Sequence, residues 1–233
     1  MTTYPLLLRG GLMFLEHEGS WLIDTGSPVS LSRAGELCLD GVQCDIQSSL
    51  MGFAAEDLSG IVGFEVTGLI GNDAISRFDW IFDLPNQTVS VSRDELHLDG
   101  SRLPVETFLT VPLLQTTVQR HAVRALLDTG AELSYFPPDV LDGLAPEGNF
   151  RDFHPFIGWF DTELRKVRAV IANHDFVLRA GVIGDNVGLL GLTLSVANAN
   201  GLIGNQIFHD RRVGYFPRRG KLVLDGSNGQ AAA

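Results

Sequence analysis

The stretches "WLIDTGSPVS", Trp21 to Ser30, and "ALLDTGAELS", Ala125 to Ser134, share one pattern: an apolar run, a carboxylate, Thr, Gly, then small or polar residues. A lone Asp-Thr-Gly after a strand reads as a turn, with the Asp side chain accepting backbone N–H groups and the Gly taking positive φ. Two copies in matched surroundings constrain the chain much further.

The match extends in both directions from each triplet. Upstream, "YPLLLRGGLMFLEHEGSWLI" corresponds to "VPLLQTTVQRHAVRALL", each a Pro-Leu-Leu strand, a turn and a second apolar strand entering the Asp. Downstream, "LMGFAAEDL" corresponds to "FIGWFDTEL", and "GLIGN" occurs at Gly68–Asn72 and again at Gly201–Asn205. After each "GLIGN" the chain reads as a short helix-like turn followed by a hairpin of alternating residues. Self-similarity on this scale predicts two related halves. Their expected bounds are 1–100 and 101–225, with a flexible tail at 226–233.

The halves differ in length. Gly68 follows Asp24 by 44 positions and Gly201 follows Asp128 by 73, so the second half carries about 29 extra residues. Those lie mostly in "RAVIANHDFVLRAGVIGDNVGLLGLTLSVANAN", which reads as added strands and Gly turns. Helical periodicity is weak, with "SRAGELCL" and "PPDVLDGL" the best short helix candidates. Short apolar strands separated by Gly, Pro, Asn and Asp predict an all-β chain.

Two related halves facing each other across a pseudo-two-fold axis would bring Asp24 and Asp128 together. Two carboxyl groups in contact do not both ionise cheaply, so one keeps a proton and the pair titrates as a unit. Such a pair is an acid and a base at once. The ionised member can take a proton from water as it attacks a carbonyl, while the protonated member hydrogen-bonds the carbonyl oxygen. That chemistry needs no metal, no cofactor and no covalent intermediate.

Composition excludes several other classes. The net charge of -11 sits wholly in residues 1–100, which hold 4 Lys/Arg against 15 Asp/Glu, while the remainder is balanced at 13 against 13. Such a chain offers no electrostatic footprint for nucleic acid. The pairs Arg211/Arg212 and Arg218/Arg219 read as solvated strand edges. No apolar run approaches the roughly 20 residues of a membrane span, and no basic leader opens the sequence, so a soluble, cytoplasmic protein is expected. The six histidines show no HExxH spacing, and no GxSxG elbow or phosphate-binding glycine loop occurs. Cys38 and Cys44 are two buried free thiols or a small loop disulfide, too few for a zinc cage.

At "LIDTGS" and "LLDTGA" the sequence resembles the pepsin and retropepsin superfamily of aspartic peptidases, over nearly the whole chain. The resemblance implies a bilobal all-β fold, a peptide or protein substrate and catalysis by Asp24 and Asp128. It also implies that Thr25 and Thr129 cross-link the two active-site loops, and that Gly26 and Gly130 let backbone approach the carboxylates. Both catalytic halves lie in one chain, which implies a monomer. "GLIGN" would thread beneath each loop. Pepsin-like enzymes carry one flap with a Tyr, which "SSLMGFAAEDLSG" lacks. The pattern instead resembles two flaps, as in dimeric retropepsins, with Met51, Gly52 and Phe53 in the first and Ile157, Gly158 and Trp159 in the second. Phe53 and Trp159 are either core residues or part of an apolar cleft preferring hydrophobic side chains.

Ser27 and Ala131 occupy equivalent positions. A hydroxyl there would donate to the neighbouring carboxylate and favour its charged form, so the two carboxylates are expected to be inequivalent and the pH optimum nearer neutral than strongly acidic. The rival to a peptidase is a catalytically silent peptide-binding or inhibitory protein on the same fold.

Overall fold

The computed structural model describes residues 1–33, 36–155, 157–184 and 188–226. Strands β1 (Thr2–Arg9), β2 (Leu12–Glu16), β3 (Ser20–Ile23), β4 (Leu31–Ser32), β5 (Leu37–Leu39), β6 (Val42–Cys44), β7 (Ser49–Leu50) and β8 (Phe53–Ala54) lead into helix α1 (Ala55–Val62). Then follow β9 (Gly68–Ile70), α2 (Asn72–Ile75), β10 (Asp79–Asp83) and β11 (Thr88–Ser92). The second half runs β12 (Ser101–Phe108), β13 (Val111–Val118), β14 (His121–Leu127), β15 (Ser134–Phe136), β16 (Gly148–His154), β17 (Gly158–Ile171) and β18 (His174–Val182). It ends with α3 (Gly188–Val196), β19 (Gly201–Ile203), β20 (Arg212–Phe216) and β21 (Lys221–Leu224).

The chain is all-β in class, and its pairings repeat. Six antiparallel strands run in the order β1, β11, β10, β20, β21, β12, with β10 and β20 side by side at the centre. On each side of that seam the outer strand leaves the shared sheet partway along. The first part of β1 pairs with β11 and its second part with β2; β12 divides in the same way between β21 and β13. In each half, the strand preceding the Asp then lies parallel to a Gly-Leu-Ile strand, β3 with β9 and β14 with β19. All three residues of β9 and of β19 are buried, as expected for parallel strands covered on both faces.

The seam is packed with aromatics. Trp80 stacks on Phe82 at 5.9 Å, and Phe82 meets Phe208 of the second half edge-on at 5.0 Å. All three side chains are fully buried, so truncating any one to Ala would cost about 3–5 kcal/mol. The longest strands alternate as a half-buried sheet demands, with Val167, Ala169 and Ile171 inward and Arg168 outward on β17.

Several local expectations are corrected. "SRAGELCL" does not form a helix where it is described: Leu37 and Leu39 point inward from a strand, and Asp40-Gly41, with φ 47° and 73°, turns the chain into β6. An Asp-Gly pair between apolar runs is a hairpin signal; Ala34 and Gly35 lie outside the described residues. "PPDVLDGL" is a chain of tight turns, with Val140 N–H bonded to Pro137 O and Leu141 N–H to Pro138 O at 3.1 Å each. Two successive prolines supply no N–H donors of their own, and Gly143 turns out at φ 73°.

The longer second half does contain the added hairpin, β17–β18, turning at Ala172-Asn173. However, "GLLGLTLSV" is the helix α3, because Leu190 and Leu194, one turn apart, are both buried. A further helix, α1, follows the first Gly-aromatic turn; Asp57 accepts the Ala54 N–H at 2.8 Å and Gly63 ends it at φ 79°. Cys38 and Cys44 are both free, the first exposed and the second buried with its thiol pKa raised by that burial. Arg218 and Arg219 are not solvated edge charges: both pair with the fully buried carboxylate of Asp79, Arg218 at 3.1 Å. Of the expected tail, residues 227–233 lie outside the described residues. No described helix is long and apolar enough to cross a membrane.

Candidate active site

Each Asp-Thr-Gly leaves its strand as a loop pinned from below. The Asp24 N–H bonds to Ile70 O at 3.0 Å and the Asp128 N–H to Ile203 O at 2.9 Å, so the parallel Gly-Leu-Ile strand sets the height of each carboxylate. Beneath the first loop, the Asn72 amide donates to Thr25 O at 2.6 Å and Ser27 O at 3.0 Å. Beneath the second, the Asn205 amide donates to Thr129 O at 3.3 Å and also to Gly11 O of the other half at 2.7 Å. The Gly71 and Gly204 N–H groups bond the hydroxyls of Ser30 and Ser134 at 2.9 and 3.1 Å. These four side chains were not assigned roles from sequence. The Asn that closes both copies of "GLIGN" was the signal that could have found two of them.

The loops also grip each other. Thr25 and Thr129, both buried, exchange backbone-to-hydroxyl hydrogen bonds at 2.9 and 3.0 Å, and each hydroxyl donates to a carbonyl of the opposite strand, Leu127 O or Ile23 O, at 2.7 Å. That contact brings Gly26 against Asp128 and Gly130 against Asp24: a Cβ on Gly26 would stand 2.5 Å from the Asp128 carboxyl carbon, and one on Gly130 would stand 2.6 Å from that of Asp24. Only a residue without a side chain fits.

Asp24 and Asp128 thus lie face to face, each against the glycine of the opposite loop, close enough that each perturbs the other's ionisation. Burial raises both carboxyl pKa values, and the Asp24 charge drives Asp128 well above its ordinary value. Asp24 Oδ1 accepts two backbone N–H groups, from Gly26 at 2.8 Å and Ser27 at 3.0 Å; Asp128 Oδ1 accepts one, from Gly130 at 2.9 Å. Asp24 is therefore the better-stabilised anion and Asp128 the proton holder. The Ser27 hydroxyl plays no part in this. It donates to Val29 O at 2.7 Å, so the expected inequivalence arises from backbone donors instead.

Two hairpins stand over the pair. In the first, β7 and β8 pair through Leu50 and Phe53 around the turn Met51-Gly52; in the second, β16 and β17 close at His154 and Gly158. Phe156, in the second turn, lies outside the described residues. Between hairpins and loops lie two adjoining cavities of about 160 and 250 Å3. Asp24, Gly130 and Phe53 line both; Asp128, Gly26, Ser27, Ala131 and Ile157 line the first, and Trp159 the second. Met51 is 83% exposed and, like Gly52 and Gly158, lines neither. The hairpins touch through Phe53 and Phe153 at 6.1 Å, and Phe153 meets Trp159 at 5.4 Å. The Phe53–Phe153 contact brings the two hairpins together over the cleft. Leu190, from the unexpected helix, forms part of the first wall. Among the described residues no group of three or more His, Cys, Asp or Glu side chains is placed to hold a metal ion.

The arrangement has counterparts among solved structures. An aspartic proteinase from Irpex lacteus superposes with a TM-score of 0.54 over 96% of this chain and 96% of that one, at 10% identity. The chain has the bilobal fold of the aspartic proteinases. The same fold is found in basic 7S globulin from soybean (TM-score 0.53, 10% identity, 96% and 94% of the two chains) and in conglutin gamma, a basic 7S globulin from lupine seeds (0.52, 9%, 97% and 94%). No family model and no curated protein matches by sequence. The aspartic-proteinase fold thus carries proteins named as a proteinase and proteins named as globulins, and activity has to be argued from the site.

Proposed function

We propose that this chain is an aspartic endopeptidase, with residues 1–100 and 101–225 as its two catalytic lobes and the monomer as its working form. The observation that carries the reading is the approach of Asp24 and Asp128, each packed against the glycine of the opposite loop, in one cavity beneath two hairpins. Ionised Asp24 would accept a proton from a water lying between the carboxyls as that water attacks the scissile carbonyl. Protonated Asp128 would hydrogen-bond the carbonyl oxygen, and a proton would then reach the departing amine, restoring the pair. The walls are apolar on both sides, with Leu12, Leu22, Ile61 and Leu69 on one and Ile157, Phe160 and Leu190 on the other, which suits hydrophobic residues flanking the cleaved bond.

The second reading, a silent peptide-binding protein, draws on the globulins that share the fold. Incubating a mixed peptide library with the wild type, Asp24→Asn and Asp128→Asn separates the two. Cleavage lost in either variant and blocked by a statine-type inhibitor is the expected result; no wild-type turnover between about pH 3 and about pH 8 overturns it.

A further inference from the structure

The second hairpin runs on beyond the sheet over the cleft, with Phe150 and Phe160 packed against the cluster that contains Tyr135. Residues Arg165–Ile171 of β17 pair with β18, but Gly158–Leu164 pair only with β16 among the described strands, and β16 pairs with nothing else. Near its base the Thr162 hydroxyl accepts the Val182 N–H at 2.9 Å. Further toward the tip, opposite Phe160, stands Asp152. Its carboxylate accepts a hydrogen bond from the Tyr135 hydroxyl, which rises from β15 in the body. Tyr135 is 3% exposed, and burial followed by the Asp152 charge drives its phenol pKa far up, so it stays a donor throughout the working pH range.

The first hairpin has no counterpart of this bond. Leu31 stands where the repeat places Tyr135, and the tie there is made by backbone: Gln47 N–H to Ser30 O and Ser32 N–H to Gln47 O, each 3.0 Å. The second hairpin thus replaces a backbone bridge with one side-chain bond to a carboxylate, and both partners line the cavity that holds the two aspartates.

We propose that Tyr135 and Asp152 are a positioning pair that holds the second hairpin at its height above Asp24 and Asp128. The proposal rests on the peptidase reading for its catalytic meaning, though not for its structural test. A hydrogen bond to a charged group is among the stronger single ties available to a hairpin with one paired edge. Losing it weakens ground-state and transition-state binding alike, which raises KM and spares kcat.

The test compares Tyr135→Phe, which keeps the ring and removes the donor, with Asp152→Ala and with Asp152→Asn, whose amide oxygen still accepts. Hydrogen–deuterium exchange of amides 148–164 should quicken about tenfold in Tyr135→Phe and Asp152→Ala, by about threefold in Asp152→Asn, which keeps an acceptor but not the charge, and leave the first hairpin unchanged. For peptide cleavage, KM should rise about tenfold in the first two variants with kcat within about threefold. The double variant Tyr135→Phe/Asp152→Ala should be no worse than either single one. Unchanged exchange in the second hairpin overturns the proposal, as does exchange quickened equally over the whole chain. A wild type that cleaves nothing overturns the peptidase reading, while the exchange pattern still decides whether the pair holds the hairpin.

Discussion

The Thr25 N–H donates to the Thr129 hydroxyl at 2.9 Å, and the Thr129 N–H returns the bond to the Thr25 hydroxyl at 3.0 Å. Each hydroxyl is an acceptor for one loop and a donor to the opposite strand, so the two loops are locked by four bonds with no water needed. This knot sets the distance between the aspartates more directly than the surrounding sheet does. Thr129→Val keeps the volume but orphans the buried Thr25 N–H and Ile23 carbonyl. It should lower stability by about 2–4 kcal/mol, read from the urea midpoint at unchanged slope. Thr129→Ser, which keeps the hydroxyl, should lose less than about 1 kcal/mol.

Gly26 lies where the opposite carboxylate passes. The methyl group of Gly26→Ala would stand 2.5 Å from the Asp128 carboxyl carbon, well inside contact distance, and the carboxylate is the freer of the two to move. Displacing a reacting group by about 1 Å costs about 100-fold in rate. Peptide cleavage by Gly26→Ala should fall by at least that factor while its circular dichroism spectrum and the antiparallel core remain those of wild type. Full activity in this variant would mean that the closed loop geometry is not the working one.

The aspartate pair also sets how stability varies with pH. Both carboxyl pKa values lie above the 3.8 of a free side chain, Asp128 most of all, chiefly through burial. A raised folded-state value means that the native state holds its proton more tightly than the unfolded chain does. The pair's contribution is therefore fully present below about pH 3.8 and is lost as pH rises through the folded-state values. Asp128→Asn removes one ionisation and supplies an amide donor to Asp24. Its melting temperature should exceed that of wild type by on the order of 5 °C near neutral pH, with the difference vanishing near about pH 3. A variant less stable than wild type at neutral pH would contradict this.

Much of this architecture was legible because the chain states it twice. Two Asp-Thr-Gly triplets and two "GLIGN" runs at corresponding places define the strands that meet beneath the aspartates, and the apolar entry into each Asp marks β3 and β14 as buried strands. What was not legible lies where the halves diverge. In the helix α3 the residues Leu190, Leu192, Leu194 and Val196 alternate with Gly191, Thr193 and Ser195, a strand-like period of two, yet only Leu190 and Leu194, one helical turn apart, are buried. The Tyr135–Asp152 bond joins residues on different elements with no partner in the first half, where Leu31 stands instead. The Ser27 hydroxyl was misread because the repeat suggested a contrast with Ala131, whereas the local turn offered the Val29 carbonyl as a nearer acceptor.

A pair that must hold one proton works between its two macroscopic pKa values, and here burial moves both carboxyls upward, with Asp24 charge adding to Asp128. The falling limb of kcat/KM should therefore lie well above the ordinary carboxylate range, with the optimum nearer neutral than strongly acidic; a maximum below about pH 3.5 and collapse by about pH 5 would contradict it. The asymmetry between the carboxyls comes from the Ser27 backbone N–H at 3.0 Å, not from its hydroxyl, which is spent on Val29 O. Ser27→Ala should then shift both limbs by less than about 0.3 pH unit. A larger downward or upward displacement in that variant would return the hydroxyl to the carboxylate and reassign which aspartate carries the proton.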